Sequence, residues 1–287
     1  MAARGLVPIQ GANLLMLLTQ LEADPDVDIS TAAHSSLTKM PPQVIVPACQ
    51  AELHPSAVHS LAEIFRDKDD VLEALVLNAG MTDHTLEHIA RFASESIGEL
   101  IAINQERLLA APQIVEALYL NKNVRMSTAD RMVELCARNG VELSAIPAFQ
   151  AHAEAIKGQL IPEPTDEPLP SDIAFQEAAS EATDEDAFDV DIVEKTEEVK
   201  DKFKPLSFRI QNMTISEKIR LATVGDAAAR AMLVRDPNRL VSHAAISSPS
   251  MNANEASGIA NSRNISDDIL RYIGNRKEWL RSYEIKR

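Results

Sequence analysis

Apolar residues recur along this chain in triplets spaced i, i+3, i+4, the spacing that lays three side chains on one face of a helix. Six triplets stand out: Ile45/Ala48/Cys49, Val58/Leu61/Ala62, Leu86/Ile89/Ala90, Met132/Leu135/Cys136, Ala256/Ile259/Ala260 and Leu270/Ile273/Gly274. In five of the six an apolar residue sits five positions before the first core residue: Met40, Leu53, Met81, Met251 and Ile265. In the Met132 copy, Met126 sits six before. Capping residues follow: Thr82, Asn252 and Ser266 directly, Ser56 and Ser127 nearby. An apolar residue, a polar cap and an apolar residue one turn on form a hydrophobic staple, so each copy predicts a helix start. Thr214-Ile-Ser-Glu217 adds a capping box before Ile219 and Leu221.

Between these helices lie segments that repeat. Val71-Leu-Glu-Ala-Leu-Val-Leu-Asn78 and Ile114-Val-Glu-Ala-Leu-Tyr-Leu-Asn121 nearly coincide, 43 residues apart. The two ends of the chain also match. Asp24-Pro25 leads into Ile29 to Ser36, and Asp236-Pro237 leads into Val241 to Ser248, at a constant offset of 212. Arg66-Asp67 before Val71 matches Arg235-Asp236 before Leu240.

This alternation of short helices, with Asp-Pro starts and Ser/Asn-rich turns, resembles the HEAT-like and leucine-rich-repeat-variant α-solenoids. Arg66 to Asn139 and Arg235 to Trp279 carry the resemblance, with Asp24 to Phe65 more faintly. The C-terminal block is similar to one in uncharacterised bacterial proteins. The resemblance implies stacked helix pairs and an extended binding surface; separately, no cofactor is expected.

Residues 158–204 change character. Fifteen Asp/Glu and several prolines crowd this stretch. Such composition cannot bury enough apolar surface to offset its ordering entropy. The expected organisation is therefore an N-terminal helical repeat domain over 1–157, an acidic disordered linker over 158–204 and a C-terminal helical repeat domain over 205–287. Within the linker, Ala187 to Val193 alternates acidic and apolar residues, which suits docking on a basic groove or plain solvation.

Composition supports helices. Apolar residues make up 45% of the 287, aromatics only 4%, and there are nine glycines, so Ala, Leu, Ile, Val and Met must supply the core. The apolar run Leu14 to Leu18 is too short to span a bilayer, and only one Arg precedes it. A cytoplasmic protein without a membrane segment is expected. Cys49 and Cys136 have neither metal nor disulfide spacing, and their shared column with Ala62, Ala90 and Ala260 predicts buried, unpaired thiols.

Candidate chemistry is sparse. His84 and His88 stand one helical turn apart, which suits a shared metal, yet no third ligand is near in sequence, so no metal site is assigned. His34 and His243 fall near equivalent places in matched repeats, which argues for packing or capping. Gly98 and Gly225 match between halves and read as helix-junction residues. No GxGxxG, GxxxxGK, GxSxG, HExxH or CxxC pattern occurs. No enzyme activity is expected.

Charge supplies the one lead. Residues 1–201 hold 13 Lys/Arg against 35 Asp/Glu, and residues 202–287 hold 15 against 8, within a net charge of −15. Arg235, Arg239, Arg263, Arg271, Arg276, Lys277 and Arg281, with Trp279 interleaved, form the candidate partner-binding set. On a solenoid, scattered cations from successive units converge into a stripe. The expected function is a non-enzymatic protein–protein scaffold or adaptor. The alternative is nucleic-acid binding through the basic C-terminal half, a reading the acidic whole chain opposes.

Overall fold

Short apolar-faced helices form where the triplets place them. The structure, a computed structural model, describes residues 1–6, 8–165, 167–180, 204–262 and 265–279. Among them the chain is all-helical, with eighteen α-helices, one 3-10 turn at Ala2–Arg4 and no strand. None of these helices is long and apolar enough to cross a membrane. The contacts divide into two compact units, Met1–Asn123 and Val124–Arg287. That boundary differs from the one expected at residue 157.

The first unit contains α1 (Ala12–Glu22), α2 (Val27–Thr38), α3 (Pro42–Gln50), α4 (Pro55–Ile64), α5 (Asp69–Val76), α6 (Asp83–Ala90), α7 (Glu95–Ala102), α8 (Gln105–Ala110) and α9 (Pro112–Leu120). Its helices pair across the chain: α3 packs on α5, α4 on α6, and α6 on α9. The residues that end the two near-identical segments show how. Asn78, just past α5, donates from Nδ2 to the carbonyls of Cys49 (2.6 Å) and Ala51 (2.7 Å) at the end of α3, while its Oδ1 accepts from Gly80 N–H at 2.8 Å. Asn121, just past α9, donates to the carbonyls of Ala90 (3.0 Å) and Ala93 (2.8 Å) at the end of α6, and accepts from Asn123 N–H at 2.9 Å. Each amide thus satisfies carbonyls that a helix end leaves without partners. The turn after Asn78 is tight: a Cβ on Gly80 would lie 2.3 Å from the Leu53 carbonyl oxygen.

The second unit contains α10 (Met126–Arg138), α11 (Phe149–Ile156), α12 (Pro170–Ser180), α13 (Lys204–Asn212), α14 (Ile215–Val224), α15 (Ala227–Leu233), α16 (Arg239–Ile246), α17 (Ala253–Ala260) and α18 (Asp267–Asn275). The α14–α16 pair repeats the bonding of the first unit with a shorter side chain. Ser248 Oγ donates to the Thr223 carbonyl at 3.1 Å and accepts from Ser250 N–H at 3.4 Å. The expected capping box is present, with Thr214 Oγ1 accepting from Glu217 N–H and Glu217 accepting from Thr214 N–H. The matched ends of the chain also share a cap. Asp24 accepts from Asp26 N–H at 2.9 Å, and Asp26 then caps α2; Asp236 accepts from Asn238 N–H at 2.8 Å, and Asn238 then caps α16.

Several details differ from expectation. Four triplets are buried throughout, and in the fifth Ala260 is half-buried. In the sixth, Ile273 is buried but Leu270 is 40% exposed, and Ile269, one position earlier, takes its place in the core. Asp267 and Asp268 occupy the first turn of α18. Ser56 does not cap α4: His54 accepts its N–H, and Pro55 opens the helix. Ser127 lies inside α10, whose N-terminus is capped from a distance by Asp172 of α12, which accepts from Ser127 N–H at 2.8 Å and from its hydroxyl at 3.0 Å. Gly98 sits within α7, while Gly225 does end α14. Finally, α12 lies inside the stretch expected to be a linker, with Phe175 and Ala178 buried in the second unit's core. Local Asp/Glu density failed to register those apolar anchors. The Ala187 to Val193 segment lies outside the described residues.

Candidate functional site

The basic set was expected to line one surface with an aromatic among the cations. Arg235 and Arg239, at either end of the turn before α16, are exposed, and so are Arg271 on α18, Arg276 and Lys277. Arg235 donates to the Ala231 carbonyl (2.9 Å) and to Ser262 Oγ (2.7 Å), which fastens its guanidinium across the end of α15. Arg239 reaches Asp268 at 3.1 Å and so links α16 to α18. Arg276 contacts the Tyr272 hydroxyl and lies over the rings of Tyr272 (5.1 Å) and Trp279 (5.6 Å). Trp279 itself is only 8% exposed and belongs to the core of the second unit. An indole so placed has no free face for stacking on a base. Arg263 and Arg281 lie outside the described residues. Arg271 and Lys277 are thus the members for which neither a hydrogen bond, an ion pair nor a ring contact appears among the described residues.

Counter-charges are distributed differently from a plain surface. Asp236 pairs with Lys218 at 3.0 Å. Glu255 is buried and holds Arg230 through two 2.8 Å bonds, while Arg230 also donates to the Gly225 carbonyl at 2.7 Å. A fork of this kind joins α15 to α17 and fixes both side chains. Arg220, fully buried, donates to the Arg125 carbonyl at 3.0 Å and stacks its guanidinium 4.7 Å over Phe175. Neither arginine differs by local sequence from an exposed one, so sequence reasoning missed both.

The first unit assembles a second group that the sequence left scattered. His59 and Glu63 stand one turn apart on α4; His84 and His88 stand one turn apart on α6. The His59 ring lies 5.3 Å, centroid to centroid, from both His84 and His88. His88 Nε2 makes a close ion-pair contact with Glu63. His59 Nδ1 hydrogen-bonds the Thr85 hydroxyl at 3.2 Å, and Thr82 donates to that same hydroxyl at 3.0 Å. Partial burial, then His88 and His84, hold the His59 imidazole below its ordinary pKa, against the pull of Glu63. The signal that finds this group is a pair of i, i+4 doublets on helices that pack together.

Cys49 and Cys136 are buried and free, and burial pushes their thiols up to about 12 and about 11. His152 is fully buried and paired with Asp130 at 2.7 Å. His34 is exposed beside Glu22, and His243 stands edge-on to Tyr272 at 5.2 Å. No family model, no curated protein and no solved structure matches this chain.

Proposed function

We infer that this protein is a non-enzymatic interaction scaffold or adaptor of the HEAT-like, α-solenoid kind, which binds a protein partner. The observation that carries the reading is the recurrent joint: Asn78, Asn121 and Ser248 each close a helix against carbonyls of an earlier helix and accept an N–H two residues on. Such joints spend their polar groups on stacking and leave outer helix faces for a partner. The exposed Arg271 and Lys277 supply charge at one end of the second unit for an acidic partner segment.

The test is affinity capture with the full chain at physiological salt, repeated with Arg271→Glu/Lys277→Glu. The expected result is a protein retained by the wild type and lost with the charge reversal. Retention of nuclease-sensitive nucleic acid, falling steeply with salt, would replace this reading with the nucleic-acid one.

A further inference from the structure

We propose that His59, His84 and His88, with Glu63, form a binding site for a divalent transition-metal ion of the zinc and cobalt class. The inference is independent of the scaffold reading. It rests on the placement of four donors by two packed helices. A helix sets residues four apart on one face, so each helix offers a preformed pair of donors. Packing α4 against α6 brings the two pairs together. Nitrogen ligands at about 2.0–2.1 Å from a tetrahedral metal leave their ring centroids roughly 5 Å apart. The His59 ring has that spacing to both His84 and His88, at 5.3 Å each.

The surroundings fit ligation. His59 directs Nδ1 to Thr85, which orients the ring and leaves Nε2 for a metal; ligating histidines ordinarily spend their second nitrogen in this way. His88 Nε2 is enclosed and has no hydrogen-bond partner of normal geometry, although Glu63 touches it. His88 Nε2 and the Glu63 carboxylate already lie together, so a cation entering there would meet both donors. Phe92 stands edge-on to His88 at 5.2 Å and backs that ring. The nearby cations are already engaged, Arg91 by Glu87 and Arg107 by Asp83 at 2.7 Å, and Arg66 lies over Phe92 at 4.7 Å. Among the described residues no group of three or more His, Cys, Asp or Glu is already arranged to hold a metal ion. Closing the site therefore requires ring rotation. That falls to His84 and Glu63, whose exposed side chains turn freely while the helices hold their Cα positions. Imidazole with one carboxylate suits zinc, cobalt, nickel or copper rather than calcium or magnesium.

Titrating the full chain with Co2+ tests the site, because tetrahedral Co2+ has visible absorption bands that the hydrated ion lacks. The expected result is saturation at one equivalent, with the bands abolished by added Zn2+. His84→Ala and His88→Ala should each weaken binding at least tenfold, Glu63→Gln less, and His34→Ala not at all. Zn2+ should raise the wild-type Tm and leave that of His84→Ala/His88→Ala unchanged. If His88→Ala loses helicity, the surface variant His84→Gln carries the comparison. Absence of saturable binding, or binding that the His84 and His88 variants leave intact, would overturn the proposal. So would a stoichiometry that follows all seven histidines.

Discussion

Asp226 does two opposed things with one carboxylate. Its Oδ1 caps α15 by accepting from Ala229 N–H at 2.8 Å, while its Oδ2 is buried with no hydrogen-bond partner. Burial raises its pKa, against the stabilising Ala229 N–H and Arg230. The sign follows: the folded state holds this proton more tightly than the unfolded chain. The contribution to stability is therefore full below the unfolded value of roughly 3.9 and is lost as pH rises through the higher folded value. Asp226→Asn keeps an equally good cap and removes the buried charge. Its Tm at pH 7 should exceed that of the wild type, and the gap should shrink as pH falls toward 4. A Tm below wild type at pH 7 would show that attraction to Arg230 outweighs desolvation. The buried cysteines were legible because a column of small residues predicts what sits between close helices. Asp226 was not, because its cost depends on which oxygen the fold covers.

At the scale of elements, the joints between helices carry the organisation. Asn78→Ala and Asn121→Ala should each strand carbonyls at a helix end and lose about 1–3 kcal/mol, which urea unfolding would measure. Ser248 does the same work with one donor, so Asn78→Ser should cost less than Asn78→Ala. Equal losses would mean that the amide acts by packing alone. The near-identity of Val71–Asn78 and Ile114–Asn121 flagged these segments, yet their partners at Cys49, Ala51, Ala90 and Ala93 lie 27 to 31 residues back. Spacing within a helix was readable because it follows from 3.6 residues per turn. The error at α18, where Ile269 displaces Leu270, arose because two adjacent apolar residues satisfy the same pattern and only the packed partner chooses between them.

For the whole molecule, the placement of α10 and α11 decides where the chain divides. Both belong to the unit that follows Asn123, and α11 packs on α14 and α16. A fragment covering residues 1–123 should thus unfold cooperatively and stay soluble. A fragment covering 1–157 should carry the apolar faces of α10 and α11 without their partners and should aggregate or bind a hydrophobic dye. If 1–157 behaves as well as 1–123, the division lies where composition first suggested.

The sequence by itself determined the all-helical class, the caps at Thr82, Asn252 and the Thr214 capping box, and the burial of the small residues Cys49, Ala62, Ala90 and Cys136. All of these depend on neighbours within one or two turns. Only the tertiary structure decided that Arg220, Arg230 and Glu255 are interior, that Trp279 is core rather than surface, and that Asp172 caps a helix 45 residues away. It also decided that four donors from α4 and α6 share one place. Each of these depends on which helices meet, and a helix's own periodicity specifies its apolar face without naming the partner that covers it.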